Sequence, residues 1–396
     1  MSTAPPSNMI VLLTSLTAIG PLSTSIYLPS LPALAADLGA STGEAQLTLT
    51  ASLIGFALLQ LVYGPLSDRY GRRRALFGGL TLYVAASAAC ALAPSIGALI
   101  LARFVQAVGG CAGSVISRAV VRDLFTPSEG ARVLAYIGMA LAVAPAAGPL
   151  IGGQLEVYFG WRSTFIALSA AGLAILVFAV LRLPETNQGA SRETPLWRIV
   201  AGYWRLLRSR SFLAFSLSVG CQFGGLFAFQ VGAPIVLIGM LGVTPDTYGF
   251  YTLVPVGGYV LGSFIATRIS TRLGIPAMTR LGTVVNLSGG LLIAVLAFTT
   301  ELGVLVLIGP MFIYSLGMGL HLPNAMAGAI ADHPEIAGTA SALLGFFMMG
   351  TGALGSALVV ALPHADQIPM TLVVVGMAVC AGLAVLCLRK THPASV

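Results

Sequence analysis

The chain has 396 residues, of which 57% are hydrophobic and only 8% are charged, with a formal net charge of +7. Soluble proteins carry about a quarter charged residues, so this composition, with a mean hydropathy of +0.93, excludes a soluble globular protein. We predict an integral membrane protein, whose positive charge reflects membrane topology rather than a nucleic-acid partner.

Twelve apolar stretches are long enough to cross a membrane. A bilayer core about 30 Å thick takes roughly 20 helical residues at about 1.5 Å each. Such spans must be helices, because open strand edges leave backbone groups unsatisfied in lipid, and barrel strands would show as alternating segments of about ten residues. The predicted spans are 9–31, 46–66, 75–93, 96–117, 131–154, 161–182, 211–238, 247–268, 277–298, 302–329, 337–361 and 368–388. The predicted fold class is therefore an all-α membrane protein with twelve transmembrane helices.

The first span has one hydroxyl-lined face in an otherwise apolar helix. Its members, at offsets of 0, 3, 7, 10 and 11, are Thr14, Thr17, Pro21, Thr24 and Ser25. Residues at these offsets lie on one side of a helix. We expect Thr24, Ser25 and the following Tyr27 to line a substrate cavity. Before the second span, the spacing of Ser41 and Glu44 predicts a helix-capping box.

The turn after the second span concentrates charge between two apolar runs. It has the pattern Gly-x-x-x-Asp-Arg-x-x-Gly-Arg-Arg, and its candidate functional residues are Gly64, Asp68, Arg69, Gly71 and Arg72. Asp68 can pair with arginines and accept hydrogen bonds from a neighbouring helix terminus. We predict a cytoplasmic latch that breaks during a conformational change. The alternative is that these charges serve topology alone.

The fourth span contains a formal charge, Arg103, about seven residues from its start. A charge at the centre of a spanning helix costs about 2.5 to 3.5 kcal/mol on insertion scales, so an ionisable residue there indicates function. Arginine does not release its proton at ordinary pH, so we expect Arg103, with Gln106 one turn later, to modulate a neighbour or bind substrate. The alternative is that Arg103 extends to the outer interface.

The fifth span combines prolines and glycines, with Pro145, Gly148, Pro149 and Gly152 as its candidate hinge residues. Proline interrupts the backbone hydrogen bonds of a helix, and glycines leave a flat face. We predict a pliant hinge packed against a partner helix. The alternative is an ordinary kinked helix.

A polar interval at 183–210 divides the spans into six and six. We predict an N-terminal six-helix bundle at 1–190, a cytoplasmic linker at 191–210 and a C-terminal six-helix bundle at 211–396. Parallel halves of this kind place a substrate site between them near the membrane midplane.

The second half offers two further polar features. In the seventh span, aromatic and amide side chains suited to a lipophilic ligand are Gln222, Phe223, Phe227 and Gln230; the alternative is lipid-facing or interhelical packing. In the tenth span, His321 could titrate near neutral pH and serve as a proton site; the alternative is a hydrogen-bonded packing residue.

Positive charges alternate between the gaps of the predicted spans. With a cytoplasmic N-terminus, nearly all of them fall on the inner side, and the outer side receives only Arg162. The positive-inside rule therefore places both termini in the cytoplasm. We expect no metal site, because the five cysteines lie in apolar spans without the spacing of metal ligands.

Several motifs together resemble a known family. The charged turn after the second span resembles the signature loop of the major facilitator superfamily, and the Pro/Gly pattern of the fifth span resembles the motif that distinguishes its exporters. The other matching segments are Tyr27-Leu28-Pro29, Gln46-Leu47-Thr48-Leu49-Thr50, Arg103-x-x-Gln106-x-x-Gly109 and Ala337-Gly338-Thr339-Ala340-Ser341. Taken together, the chain resembles the bicyclomycin and chloramphenicol resistance branch of the drug:proton antiporters.

The resemblance implies a monomeric multidrug efflux transporter of the bacterial inner membrane. It implies alternating access, no catalysis and no cofactor, with small molecules, protons and lipid as partners. That branch normally carries an aspartate where this chain has Ser25, and no Asp or Glu lies well inside any predicted span. Proton coupling therefore uses another group, or is weak or absent. We expect small lipophilic neutral substrates, phenicol-like in character. The alternatives are a sugar or metabolite exporter of the same fold, and an uncoupled facilitator or sensor.

Overall fold

The protein is described by a computed structural model that covers residues 7–187, 196–362 and 366–388. Its regular elements, within those ranges, are all helical. The α-helices are α1 Ser7–Ser25, α2 Leu31–Asp37, α3 Thr42–Tyr70, α4 Arg72–Ala91, α5 Ile96–Leu124, α6 Pro127–Phe159, α7 Arg162–Arg182, α8 Leu196–Arg208, α9 Arg210–Pro234, α10 Pro245–Leu273, α11 Ile275–Thr299, α12 Val304–Ala331, α13 Ala337–Ala361 and α14 Ile368–Leu386. A 3₁₀ turn at Leu28–Ser30 joins α1 to α2, and a π-helical turn at Ile235–Met240 extends α9.

Twelve helices in the described chain are long and apolar enough to cross a membrane. The first of these spans combines α1 and α2, and α8 is the helix that lies outside the twelve. The predicted fold class is confirmed. Several helices run further than predicted, with α3 ending at Tyr70 and α5 at Leu124. They continue because backbone hydrogen bonding does not stop where the hydrocarbon does. Asp68 and Arg69 therefore lie in the last turn of α3 rather than in a loop.

The chain divides into two compact units. One comprises residues up to 195 together with Thr244–Gly249, and the other comprises Leu196–Val243 and the residues from Phe250 onward. Of the predicted linker at 191–210, residues 191–195 lie outside the described chain, and most of the remainder forms α8, which packs on α9 and α13 of the second unit. The predicted domain boundaries stay a prediction.

Capping boxes begin two of the long helices. At α3, the Ser41 hydroxyl accepts the Glu44 backbone N–H at 3.3 Å, and the Glu44 carboxylate accepts the Ser41 N–H at 2.8 Å, which confirms the predicted box. At α6, Thr126 and Glu129 form the same arrangement. Hydrogen bonds from the Thr126 side chain and backbone hold the pKa of the Glu129 carboxyl below its ordinary value.

Glycines allow several helices to touch backbone to backbone. In the first unit, a methyl group added at Gly109 of α5 would lie 2.5 Å from the backbone nitrogen of Tyr83 and 2.6 Å from the carbonyl of Gly79, both on α4. In the second unit, a methyl at Gly282 of α11 would meet the backbone of α12 at His321, also at 2.5 Å. Small residues permit such contacts where no hydrophobic effect drives helix association.

We expect Gly109→Ala to destabilise the protein by about 1 to 3 kcal/mol, because the added methyl meets backbone atoms that cannot move aside. Gly78 of α4 is the matched control, since a methyl there meets nothing within 4 Å. Gly78→Ala should leave the melting temperature in detergent unchanged or slightly raised. Equal melting temperatures for the two variants would show that the α4–α5 contact is not tight.

Candidate functional site

Arg103 lies deep inside the first unit. It is 1% exposed, and its guanidinium carbon lies 4.2 Å from the centre of the Tyr27 ring and 5.7 Å from that of Phe165. The guanidinium is therefore held by two aromatic faces, an arrangement that stabilises a desolvated cation. Its burial among these side chains disfavours the alternative in which Arg103 extends to the outer interface.

The hydrogen bonds of Arg103 use only part of its donor capacity. Nη1 donates to the Ser23 carbonyl at 3.1 Å and to Gln106 Oε1 at 2.5 Å, and Gln106 Nε2 donates to Ser87 Oγ at 2.8 Å. Arg103 Nε and Nη2 are buried without a partner. The ion pairs found among the described residues do not include Arg103. The first unit thus holds a buried cation with free N–H groups.

A small cavity of about 10 Å³ adjoins this cluster. That volume is close to the minimum that holds one water molecule. The cavity is lined by Gly20, Ser23, Thr24, Ser52, Phe56, Tyr83, Arg103, Gln106 and Ala107. Predicted site residues Thr24, Arg103 and Gln106 therefore meet here, while Tyr27 contacts the same guanidinium from its ring face. The free N–H groups of Arg103 can therefore donate to one bound atom that accepts hydrogen bonds, whether neutral or anionic.

Ser25 lies elsewhere, between α1 and α6. It is 2% exposed, and its hydroxyl lies 3.0 Å from the Pro21 carbonyl and 3.5 Å from the Ala144 carbonyl of α6. A methyl added at Gly148 would collide with the Ser25 side chain. The helical periodicity that grouped Ser25 with Thr24 could not separate them, because adjacent residues are only about 100° apart on a helix.

The predicted hinge residues lie in one uninterrupted helix. Pro145 and Pro149 are inside α6, and Gly148 and Gly152 lie against the end of the first span. At Gly152 a methyl would overlap the carbonyl of Ile26. The glycines thus form a flat surface against the C-terminal end of α1. The hinge itself stays a prediction.

Arg72 is the centre of the charge cluster at the predicted latch. Its side chain is 4% exposed and pairs with Asp68 through Nη1 at 2.5 Å and with Asp123 of α5 through Nε at 3.0 Å. Nη1 also donates to Ser67 Oγ at 2.6 Å. Arg69 is exposed instead, with its guanidinium 5.6 Å from the centre of the Tyr70 ring, and a methyl added at Gly64 would meet nothing within 4 Å.

Sequence reasoning missed two acidic partners of this cluster. The carboxylate of Glu185 accepts the backbone N–H groups of Arg72 at 2.9 Å and Arg73 at 3.2 Å, so it caps the start of α4. Gly71, with φ of 97°, makes the turn, and a methyl there would lie 2.6 Å from Glu185. Glu185 and Asp123 lie 113 and 51 positions from Arg72 in the sequence. The one local sign of their role is that each is an acidic residue near the end of a helix.

The predicted residues of the seventh span share α9 in the second unit. The Phe223 and Phe227 rings lie 6.2 Å apart. Gln222 is fully buried, and neither its Oε1 nor its Nε2 has a partner; Gln230 Oε1 is also unpartnered. Buried amides without partners are costly, so these groups are suited to hydrogen bonding with a bound molecule.

His321 is fully buried among hydroxyl groups of the second unit. Nε2 lies 3.1 Å from Ser218 Oγ, and Nδ1 lies 3.0 Å from Thr283 Oγ1 and 3.1 Å from the Thr279 carbonyl. Each ring nitrogen therefore has a partner inside the helix packing. The ring can gain or lose a proton only if these hydroxyls adjust.

Twelve spans in two units, each with a polar cluster in its interior, are the architecture of a membrane transporter. A sequence model of the Major Facilitator Superfamily matches residues 13–356, and the chain belongs to that family. The predicted resemblance is confirmed, and the chain is a multi-pass membrane protein.

Curated relatives cover most of the chain. It is 34% identical to an "Uncharacterized MFS-type transporter YdgK" of Bacillus subtilis, over 96% of this chain and 94% of the relative. It is 30% identical to a "Bicyclomycin resistance protein homolog" of Haemophilus influenzae, over 91% of each chain. It is also 30% identical to a "Chloramphenicol resistance protein" of Pseudomonas aeruginosa, over 91% of this chain and 86% of the relative.

Solved structures share the fold. The Escherichia coli xylose transporter XylE in a partially occluded inward open conformation matches with a TM-score of 0.74 at 14% identity, covering 95% of this chain and 96% of that one. A bacterial homologue of the human lysosomal transporter Spinster matches with a TM-score of 0.76 at 15% identity, covering 98% and 97%. At these identities the likeness concerns the fold alone.

We expect Asp123→Asn to lower the melting temperature more than Asp68→Asn. Arg72 is buried, and the Asp123 side chain is 17% exposed against 45% for Asp68. Removing a partner of a buried cation costs on the order of 3 kcal/mol, whereas an exposed pair contributes at most about 1 kcal/mol. Thermal unfolding of both variants in one detergent measures the difference. A larger loss for Asp68→Asn would mean that Arg72 depends chiefly on the exposed pair.

Proposed function

We propose that the protein is an alternating-access exporter of small lipophilic compounds, working as a monomer in a bacterial inner membrane with both termini in the cytoplasm. Two relatives, which are named for bicyclomycin resistance and for chloramphenicol resistance, support an antibiotic-like substrate. The exporter-like motif of α6, with Gly148 and Gly152 against the first span, supports outward transport. Positive charges on the predicted inner side support the orientation.

The proposed preference for neutral substrates rests on the charges of the buried residues. Among the described residues, those buried with a formal positive charge are Arg72 and Arg103, and none of the buried residues is an aspartate or glutamate. A cationic drug would meet the like charge of Arg103 and, among the described residues, no fully buried carboxylate, since the unpartnered Glu156 Oε2 belongs to a part-buried side chain of α6. A neutral phenicol-like compound instead offers carbonyl or nitro oxygens, which suit the free N–H groups of Arg103 in the first unit. The unpartnered amide N–H of Gln222 offers a donor of the same kind in the second unit.

His321 is the proposed proton site. The Thr283 hydroxyl can donate to the Thr279 carbonyl at 2.8 Å, and the Ser218 hydroxyl to the Phe215 carbonyl at 2.8 Å. When both hydroxyls donate in this way, both ring nitrogens face acceptors only, which suits a doubly protonated imidazolium. A neutral ring fits once one hydroxyl turns its proton toward the imidazole. Both protonation states therefore find hydrogen-bond partners without moving a helix, and the charged one still bears the cost of a buried cation.

An uncoupled facilitator is the second candidate function. Ser25 stands where the related antiporters carry an aspartate. Its hydroxyl donates hydrogen bonds to backbone carbonyls of α1 and α6. If His321 does not couple, the fold would carry substrate down its own gradient. A sugar or metabolite exporter differs from the first proposal only in substrate.

The substrate class is tested in proteoliposomes with a neutral phenicol and a quaternary ammonium dye. We expect phenicol flux that increases with an imposed pH gradient, and little dye flux, because none of the fully buried residues in the described part of the chain is a carboxylate. Phenicol flux that ignores the gradient would support the facilitator. Strong export of the dye alone would refute the neutral preference, and flux of sugars alone would favour the metabolite exporter. Absence of any flux would favour a sensor.

Proton coupling is tested with His321→Gln, which retains hydrogen-bonding groups but does not titrate between pH 5 and 8. We expect gradient-driven flux to fall to the level measured without a gradient, while exchange of labelled for unlabelled substrate persists. His333→Gln is the control, because His333 is also buried but its ring nitrogens have no partner. Undiminished gradient-driven flux in His321→Gln would assign coupling to another group.

A further inference from the structure

Helix α8 leaves an apolar stripe exposed. Trp197 is 65% exposed, Val200 64% and Trp204 57%, and Leu207 follows at 37%. Their spacings of three, four and three residues place all four on one side of the helix. Two tryptophans on one 13-residue helix are a large exposed apolar area, of the kind that marks an interaction site rather than chance exposure.

The opposite side of α8 is occupied by the second unit. Leu206 is fully buried, and a methyl added at Gly202 would lie 3.4 Å from the Thr339 side chain of α13. Arg205 Nη2 pairs with Glu335 at 2.8 Å. Because this side fixes α8 on α9 and α13, the tryptophan stripe has a defined direction and is held away from the helix packing.

Arginines flank the stripe. The guanidinium of Arg198 lies 5.6 Å from the centre of the Trp197 ring, and that of Arg208 lies 4.9 Å from the centre of the Trp204 ring. Helix α8 contains three arginines and no acidic residue, and a fourth arginine, Arg210, follows after Ser209. A cation seated over an aromatic ring presents charge beside an apolar surface, which is the combination that an anionic lipid headgroup with its acyl chains complements.

The position of α8 along the chain places it at the membrane surface. The helix ends at Arg208, and the spanning segment that contains α9 begins at Arg210. Ser209 caps α9, with its hydroxyl accepting the Phe212 N–H at 3.3 Å. One residue thus separates α8 from a span, so its C-terminal end lies at the depth where tryptophans are enriched.

We propose that α8 is an interfacial anchor that binds anionic phospholipid of the cytoplasmic leaflet. Trp197, Val200 and Trp204 enter the boundary between headgroups and acyl chains, and Arg198 and Arg208 contact the phosphates. Interfacial helices bind through such a division of apolar and basic surfaces, and each arginine near an anionic leaflet strengthens the binding. The inference does not depend on the substrate or on proton coupling.

Tryptophan fluorescence of the full-length transporter in vesicles tests the anchor. The chain has three tryptophans, and Trp161 is 4% exposed, so Trp161→Phe leaves the two on α8 as reporters. The quenchers are brominated phosphatidylglycerol and brominated phosphatidylcholine, each at the same low mole fraction in phosphatidylcholine. We expect quenching by both, and at least about twofold more by the anionic lipid because it is enriched around the arginines.

Arginine variants separate headgroup recognition from simple immersion. The double variant Arg198→Gln with Arg208→Gln should equalise quenching by the two lipids, whereas Arg272→Gln, at an exposed arginine in the last turn of α10, should preserve the difference. If Trp161→Phe fails to fold, the wild type is compared with Trp197→Phe/Trp204→Phe by subtraction. Absence of quenching by either lipid would overturn the proposal and favour a protein partner for the stripe. Equal quenching in the unmodified arginine background would overturn the anionic preference.

Discussion

Contact between helix backbones is the constraint on which the rest of the structure depends. Inside a bilayer the lipid is as apolar as leucine, so helices gain by close packing rather than by hiding apolar surface. Helix α5 meets α4 at Gly109, the backbone of α1 at Leu16 through Gly113, and Gly55 of α3 at the Phe104 carbonyl. Three neighbours thus hold α5 at backbone distance, and Arg103 on that helix is enclosed between them.

Enclosure determines how the protein handles charge. An unpaired buried cation is costly, and here aromatic faces, one carbonyl and one amide offset part of that cost at Arg103. Where α3 ends and α4 begins the solution differs, since Arg72 is paired with two carboxylates. The cluster around Arg72 neutralises its charge, whereas the cluster around Arg103 retains a net positive charge and unused donors. The cluster around Arg103 therefore suits ligand binding, and the cluster around Arg72 suits a connection that stabilises one conformation.

Helix α8 handles charge in a third way. Its arginines are neither enclosed nor all paired, and two of them lie over tryptophans on an exposed face. The pair between Arg205 and Glu335 connects this surface helix to the turn before α13. Helix α8 is thus tied to the second unit on one side and exposes its tryptophan stripe on the other.

The sequence by itself determined the helical class, the number of spans and the concentration of charge after the second span. These follow from local quantities, namely the length of apolar runs and the spacing of polar residues. Arg103 and Gln106 were also predicted, because an interior arginine in an apolar run is visible without any partner. Their partners Ser23, Ser87 and Phe165 were not. The Ser41–Glu44 cap was predicted for the same reason, since both members lie within one turn.

Only the tertiary structure decided which side chains meet. Asp123 and Glu185 reach Arg72 from distant parts of the chain, and nothing in their local sequence distinguishes them from other acids at helix ends. Likewise, Ser25 faces α6 while Thr24 lines the cavity, and Leu196–Arg208 forms a helix that packs on α9 and α13. The physical reason is that hydropathy constrains where each helix crosses, whereas its rotation about its own axis is set by the neighbours it packs against.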